Sequence, residues 1–319
     1  MTTSRGGGVR ASVLEAVGST PLVALDRLAA GTGCRIVLKT EHLNPGGSHK
    51  ARIALNMVLA AEREGVLVRG SGQTIVEPTG GNTGMGIAMA GAVLGYRVVL
   101  VIPDNYSKDK QRVLAAMGAE ILLSDSSTGN NSHGELANRL VLENPTWVLL
   151  NQGANPNNPD AHRNATALEI LDDLDGEPVD HMVAGIGTGG HITGVGEILR
   201  KEMPDLRVHG VQPEGCDLFA GTFRRHRVQG LSVGYVPPVL NRDVVDDMIT
   251  VGESEAVECM KLLMRTEGIA AGPSTGANIA AALRLARSLD GPATILTFAY
   301  DGAHDYLDLL SDPTDAVVS

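Results

Sequence analysis

The feature that most constrains this chain is an alternation sustained from residue 35 to residue 299. Short β-branched runs end in glycine or polar turns, and a longer amphipathic stretch follows each. Strands are expected at Arg35–Lys39, Thr74–Glu77, Arg97–Ile102, Glu120–Leu123, Trp147–Asn151, His181–Ala184, Arg207–Gln212 and Thr294–Ala299. Helices are expected at Ala51–Glu64, Thr83–Leu94, Lys108–Met117, Gly134–Glu143, Ala161–Leu174, His191–Lys201, Ser254–Glu267 and Thr275–Ser288. That rhythm implies an α/β protein with mostly parallel sheets flanked by helices. Right-handed crossovers then put the strand C-termini, and the loops leaving them, on one edge. Ligands of such sheets sit on that edge.

A chain of 319 residues exceeds the roughly 250–300 that one core usually supports. Two lobes are therefore expected, 1–155 and 156–319, divided in the Asn- and Pro-rich stretch Gly153–Pro159. The net charge of −11 argues against a nucleic-acid partner. The one dense basic cluster, Arg224, Arg225, His226 and Arg227, reads as a solvated surface turn, with contact to an anionic substrate as the alternative. Three widely spaced cysteines, Cys34, Cys216 and Cys259, form no metal-binding pattern, so no metal is expected. Reduced thiols suit a cytoplasmic protein. Met1–Arg10 has no apolar signal core, and no apolar run reaches the roughly 18–20 residues of a membrane span.

Chemistry is concentrated in glycine-rich loops after strands. The first, Asn44–Lys50 (NPGGSHK), ends in a lysine at a helix start. The helix dipole disfavours a cation there, which favours the neutral amine that imine formation needs. An ordinary exposed first-turn lysine is the alternative. The second, Glu77–Gly84 (EPTGGNTG), offers backbone N–H groups and hydroxyls at a helix N-terminus, a site for a carboxylate. Asn82 can hydrogen-bond a ring hydroxyl or an oxyanion; a plain helix cap accounts for Thr83 alone. The third, Gly185–His191 (GIGTGGH), has Gly185, Gly187 and Gly190 at GxGxxG spacing, with Glu214 after the next strand. It suits a dinucleotide or a phosphate monoester, and the loop alone does not choose. Gly272–Gly276 (GPSTG) opens a helix, with Ser274 available to a ring nitrogen or serving as a cap. Gln152, at the end of a strand, lies on the ligand edge.

In order along the chain, NPGGSHK, PTGGNTG, GTGGHITG and GPSTGAN resemble the fold-type II pyridoxal-phosphate (PLP) enzymes. They are most similar to cysteine synthase (O-acetylserine sulfhydrylase) and cystathionine β-synthase. Val17–Leu22 (VGSTPL) resembles that family's opening, and the likeness runs to the last strand. Four ordered motifs set the nicotinamide reading aside. The resemblance implies a tryptophan synthase β-like fold in two lobes, with an early segment near 14–40 packed on the other lobe. It implies that Lys50 carries PLP as a Schiff base. Asn82 would hold the ring hydroxyl, Ser274 the pyridine nitrogen, and Gly187, Thr188, Gly189, Gly190 and His191 the phosphate. Thr79, Gly80, Gly81, Thr83, Gln152 and Gly230 would surround the substrate.

The implied reaction is β-replacement on an activated L-serine, O-acetyl- or O-phosphoserine, through an α-aminoacrylate, with Lys50 moving the α-proton. Serine/threonine dehydratase or racemase action, and non-catalytic PLP binding, are the alternatives. The expected partners are a small amino acid and a small nucleophile, in a cytoplasmic homodimer. The chain departs from ordinary cysteine synthases at His49 and Ala51 beside the lysine, at Gly80 where serine is usual, at Gly153 where a bulky aromatic is usual, and at His191 where threonine is usual. Gly80 and Gly153 predict a larger or re-shaped pocket and a nucleophile other than sulfide. The alternative is an ordinary cysteine synthase.

Overall fold

A computed structural model describes residues 8–129 and 131–310. Contacts divide the chain into two compact units. Among the described residues, the first holds 8–19 together with 44–162, and the second holds Thr20–Leu43 and 163–310.

The second unit begins with β1 (Leu22–Ala24), α1 (Asp26–Ala29) and β2 (Arg35–Lys39). The chain then lays down the first unit as α2 (Lys50–Arg63), β3 (Thr74–Glu77), α3 (Asn82–Leu94), β4 (Arg97–Pro103), α4 (Lys108–Ala116), β5 (Glu120–Ser124), α5 (Ser132–Glu143), β6 (Trp147–Leu149) and α6 (Asn157–Ala161). It returns to the second with α7 (Ala167–Leu174), β7 (His181–Gly185), α8 (Gly190–Glu202), β8 (Arg207–Pro213), β9 (Asp247–Val251), α9 (Glu253–Glu267), α10 (Pro273–Ser288), β10 (Thr294–Phe298) and α11 (Leu307–Leu310).

In the first unit four parallel strands run in the order β5-β4-β3-β6. Ile75, Val76, Val99, Leu100, Val101 and Ile102 are fully buried. Strands covered on both faces need unbroken apolar runs, which is why β4 reads Val-Val-Leu-Val-Ile. Helix α3 is built largely of alanine, glycine and methionine and buries most of its surface. Its Gly86 lets α2 come close: a Cβ there would lie 2.6 Å from Ala54 Cβ and 3.1 Å from the Lys50 carbonyl oxygen.

The second unit has six strands in the order β1-β2-β10-β7-β8-β9, all parallel except β1, which pairs antiparallel with β2 at one edge. Strand β2 comes from early in the chain and ends in Lys39, which is fully buried. The Lys39 ammonium donates to the Thr20 carbonyl at 2.5 Å and lies 3.1 Å from Glu169 and 3.5 Å from Asp173. A buried cation survives only with such partners, so these contacts tie β2 to α7 of the same unit.

Each expected strand is found, and β1 and β9 are found in addition. Three residues are too few to show a period, and β9 lies at the sheet edge behind two aspartates. The expected helix Ala161–Leu174 is instead α6, a turn of π-helix at His162–Thr166, and α7. The stretch Gly153–Pro159, read as the boundary between lobes, is a tied-down turn. Asn155 Nδ2 donates to the Leu150 carbonyl at 2.8 Å, and Asn158 Nδ2 donates to the Gln152 carbonyl at 2.7 Å. The chain accordingly divides after His162, not at 155/156.

Candidate active site

The first unit gathers Lys50, Thr79, Gly80, Gly81, Asn82, Thr83 and Gln152 at the C-terminal edge of its sheet. Lys50 is the first residue of α2 and Asn82 the first of α3. The close α2–α3 approach at Gly86, one turn beyond Asn82, brings the two helix starts together. The lysine loop also touches α3 directly, since a Cβ on Gly46 would lie 3.3 Å from Met85 Cγ. Gly46 and Gly47 both have positive φ, at 79° and 75°, which a residue with a Cβ adopts only at a cost.

Thr83 is buried, and its hydroxyl donates to Gln152 Oε1 at 2.6 Å. Two expected substrate residues from distant stretches of sequence are thus joined. Beneath them lies Glu77, the last residue of β3, fully buried. Its Oε2 accepts from the Asn151 N–H at 2.8 Å and its Oε1 from the Gln152 N–H at 3.0 Å. Burial pushes its carboxyl up to about 7, against the pull of those two donors. The sequence showed Glu77 only as the start of a loop. An acid closing the apolar run Thr-Ile-Val is the signal that marks it.

The expectation of extra room at Gly80 is corrected. A Cβ on Gly80 would lie 2.5 Å from Ile102 Cγ2 and 3.0 Å from Tyr106 Cδ1. The space a serine would use is filled by side chains from the end of β4 and the turn after it. Neither Ile102 nor Tyr106 was singled out from sequence, because nothing local links them to Gly80. Gly153 is buried within its turn.

The second unit holds Gly187–His191, Gly230 and Ser274. The loop leaves β7 and enters α8 through Gly189, which is left-handed (φ 83°) and supplies no side-chain cap. The first N–H groups of such a helix have no partner within it, and the dipole favours an anion there. Packing also demands these glycines. A Cβ on Gly187 would collide with the Gly230 carbonyl, and one on Gly189 would lie 2.6 Å from Leu240 Cβ. Gly230 itself is exposed with φ 88°.

The His191 ring packs edge-on against Phe298, with centroids 4.3 Å apart, and against Tyr300 at 5.1 Å. Tyr300 Oη donates to the Gly185 carbonyl at 3.0 Å and lies 3.3 Å from His191 Nδ1. An anion would therefore meet the backbone of His191 and not its ring. Ser274 is the second residue of α10, and Asn278, one turn later, reaches the Gly185 end of β7. Ser274 is 3 % exposed, so its hydroxyl is a buried polar group. A helix start shaped for an anion and a buried hydroxyl in the first turn of α10, both in one unit, fit a phosphorylated heteroaromatic cofactor such as PLP.

The arginines of the Arg224–Arg227 cluster are exposed, and Arg227 pairs with Asp308 at 3.2 Å and Glu253 at 3.7 Å. Among the described residues no group of histidine, cysteine and acidic side chains could hold a metal ion.

Comparison with known proteins agrees with this geometry. The family described as "Pyridoxal-phosphate dependent enzyme" matches residues 13–301. An O-ureido-L-serine synthase of Streptomyces lavendulae is 40% identical over 93% of this chain and 90% of its own. A probable cysteine synthase of Bacillus subtilis is 39% identical over 93% and 96%. A cystathionine beta-synthase of Apis mellifera is 38% identical, and this chain spans 60% of its length. Among solved structures, an O-ureido-L-serine synthase superposes with a TM-score of 0.91 at 38% identity, covering 97% of this chain and 96% of that one. A cysteine synthase of Entamoeba histolytica gives 0.90 at 34%, covering 97% and 93%. With its matched residues running nearly from end to end, this chain belongs to the pyridoxal-phosphate dependent enzymes, within the fold-type II cysteine synthase and cystathionine β-synthase group.

Proposed function

We propose that this enzyme replaces the β-substituent of an O-acylated or O-phosphorylated L-serine. Lys50 is the attachment point of the cofactor and the base that takes and returns the α-proton. The start of α8, from Gly187 to His191, receives the phosphate. Asn82 and Ser274 hold the ring at its hydroxyl and its nitrogen. Thr79 to Thr83, with Gln152 and Gly230, receive the amino-acid substrate and orient its carboxylate. The cofactor, when bound, supplies the electron sink that makes the α-proton removable.

The observation that carries this reading is the Thr83–Gln152 pair set beside the starts of α2 and α3. It supports a reading in which a proton carrier and a carboxylate cradle share one unit. The test is a titration of the holoenzyme with O-acetyl-L-serine, O-phospho-L-serine and L-serine separately, followed by cofactor absorbance. One activated ester should change the spectrum, and a nucleophile should reverse the change. Release of a keto acid and ammonia as the main products would favour a dehydratase and sink the proposal.

A second reading concerns the nucleophile. A relative 40% identical to this chain is an O-ureido-L-serine synthase. That likeness supports an oxygen or nitrogen nucleophile, such as the hydroxyl of a hydroxyurea, over sulfide. Turnover with sulfide, hydroxyurea and simple amines decides it, and fast use of sulfide alone removes the reading. Action as a homodimer in the cytoplasm is part of the same proposal; three free cysteines suit that compartment. Light scattering of the purified holoenzyme checks the dimer.

A further inference from the structure

Outside the residues assigned above, the least explained ionisable group is the fully buried carboxylate of Glu77. Its two oxygens accept the adjacent main-chain N–H groups of Asn151 and Gln152, at 2.8 Å and 3.0 Å. Asn151 is one of the few non-glycine residues with positive φ, at 55°, a conformation that disfavours a side chain. The bend is held from the other side by the Asn155 and Ala154 N–H groups, which donate to the Asn151 carbonyl at 2.9 Å and 3.0 Å. Asn158 Nδ2 holds the Gln152 carbonyl at 2.7 Å. The carbonyls of this bend thus have donors from the following turn, while its two N–H groups rely on Glu77. The purpose of so tight a hold is visible at Gln152, whose side-chain oxygen is met by the Thr83 hydroxyl at 2.6 Å.

We propose that Glu77 is a positioning residue for substrate affinity, acting through the Asn151–Gln152 bend to keep Gln152 against Thr83. The role rests on the assignment of Thr83 and Gln152 to the substrate carboxylate. Two acceptors on one rigid carboxylate match two neighbouring donors. Glutamine keeps the shape but turns one acceptor into a donor, leaving an N–H facing an NH2 group. A buried donor without an acceptor is expensive, so the bend relaxes and Gln152 loses its register.

The experiment compares wild type, Glu77→Gln, Gln152→Ala and the double variant as holoenzymes. Titration with O-acetyl-L-serine is followed by cofactor absorbance, and steady-state turnover is measured alongside. Glu77→Gln should raise the half-saturating concentration by about ten-fold with kcat little changed. In the Gln152→Ala background the same change should add almost nothing, since residues acting through one another are non-additive. Amide exchange at Asn151 and Gln152, measured without substrate, should be faster by about ten-fold in Glu77→Gln.

Wild-type affinity in Glu77→Gln, or additive effects, would overturn the proposal, as would unchanged amide exchange. A wild type that ignores O-acetyl-L-serine and its relatives would instead overturn the functional reading, while the exchange data still judge the clamp. If Glu77→Gln gives no holoenzyme, Glu77→Asp, which keeps the charge but withdraws it by one methylene, is measured in its place. Loss of folding in both makes Glu77 a residue of stability alone and ends the proposal.

Discussion

Gly80 carries no side chain, yet the space beside it is taken by Ile102 and Tyr106. A glycine in a motif can mean an opened pocket or a neighbour that needs the room, and only the packing tells them apart. Gly80→Ser should overpack this spot and cost about 1–3 kcal/mol, measured by urea unfolding. The cost should shrink when the same change is made on an Ile102→Ala background. Equal costs on both backgrounds would mean that Ile102 does not form the wall. Lys50 is the opposite case, a residue whose neighbours in sequence and resemblance to a family's motif identified it. Lys50→Ala should abolish covalent attachment of the cofactor; a borohydride-reducible linkage surviving in the variant would refute the assignment.

At the scale of elements, the alternation of strands and helices was legible because each element repeats its own period for several residues. Strand β1 and helix α6 were not, because the contacts that stabilise them come from elsewhere in the fold. The glycine loop before α8 shows how packing adds to a motif. Gly189 has φ 83° and Leu240 Cβ is 2.6 Å from where its Cβ would be. Gly189→Ala should cost the left-handed penalty of about 1–2 kcal/mol together with an overpacking cost, and should weaken cofactor retention on dialysis. Gly95, the C-cap of α3, has φ 80° but open space around it. Gly95→Ala should cost the left-handed penalty alone and leave cofactor retention unchanged, which makes it the control.

For the whole molecule, the buried Glu77 ties stability to pH. Its carboxyl is raised from 4.5 to about 7 by burial. The folded state therefore holds this proton more tightly than the unfolded chain does. The contribution is fully present below pH 4.5 and is lost as pH rises towards 7. A shift of that size corresponds to about 3 kcal/mol. Glu77→Gln should flatten the fall in unfolding free energy across this window, with urea unfolding from pH 5 to 8 as the measurement. A slope unchanged from wild type would place the titrating group elsewhere.

The sequence by itself determined the α/β class and the family, because both rest on local order: periods within elements, and four motifs in one succession. It also marked Lys50, Asn82, the 187–190 loop and Ser274. Tertiary structure alone decided what surrounds them. Glu77 is separated from Asn151 and Gln152 by most of the first unit, as Gly80 is from Ile102 and Tyr106 by a helix and a strand. Strand β2 lies in the segment near 14–40 that the family resemblance expected on the other lobe, but the partners of its buried Lys39, Glu169 and Asp173, were not legible. The reason is common to all three. A strand or a loop declares its shape through neighbouring residues, whereas burial and the partner of a buried group depend on which distant elements the parallel sheets bring side by side.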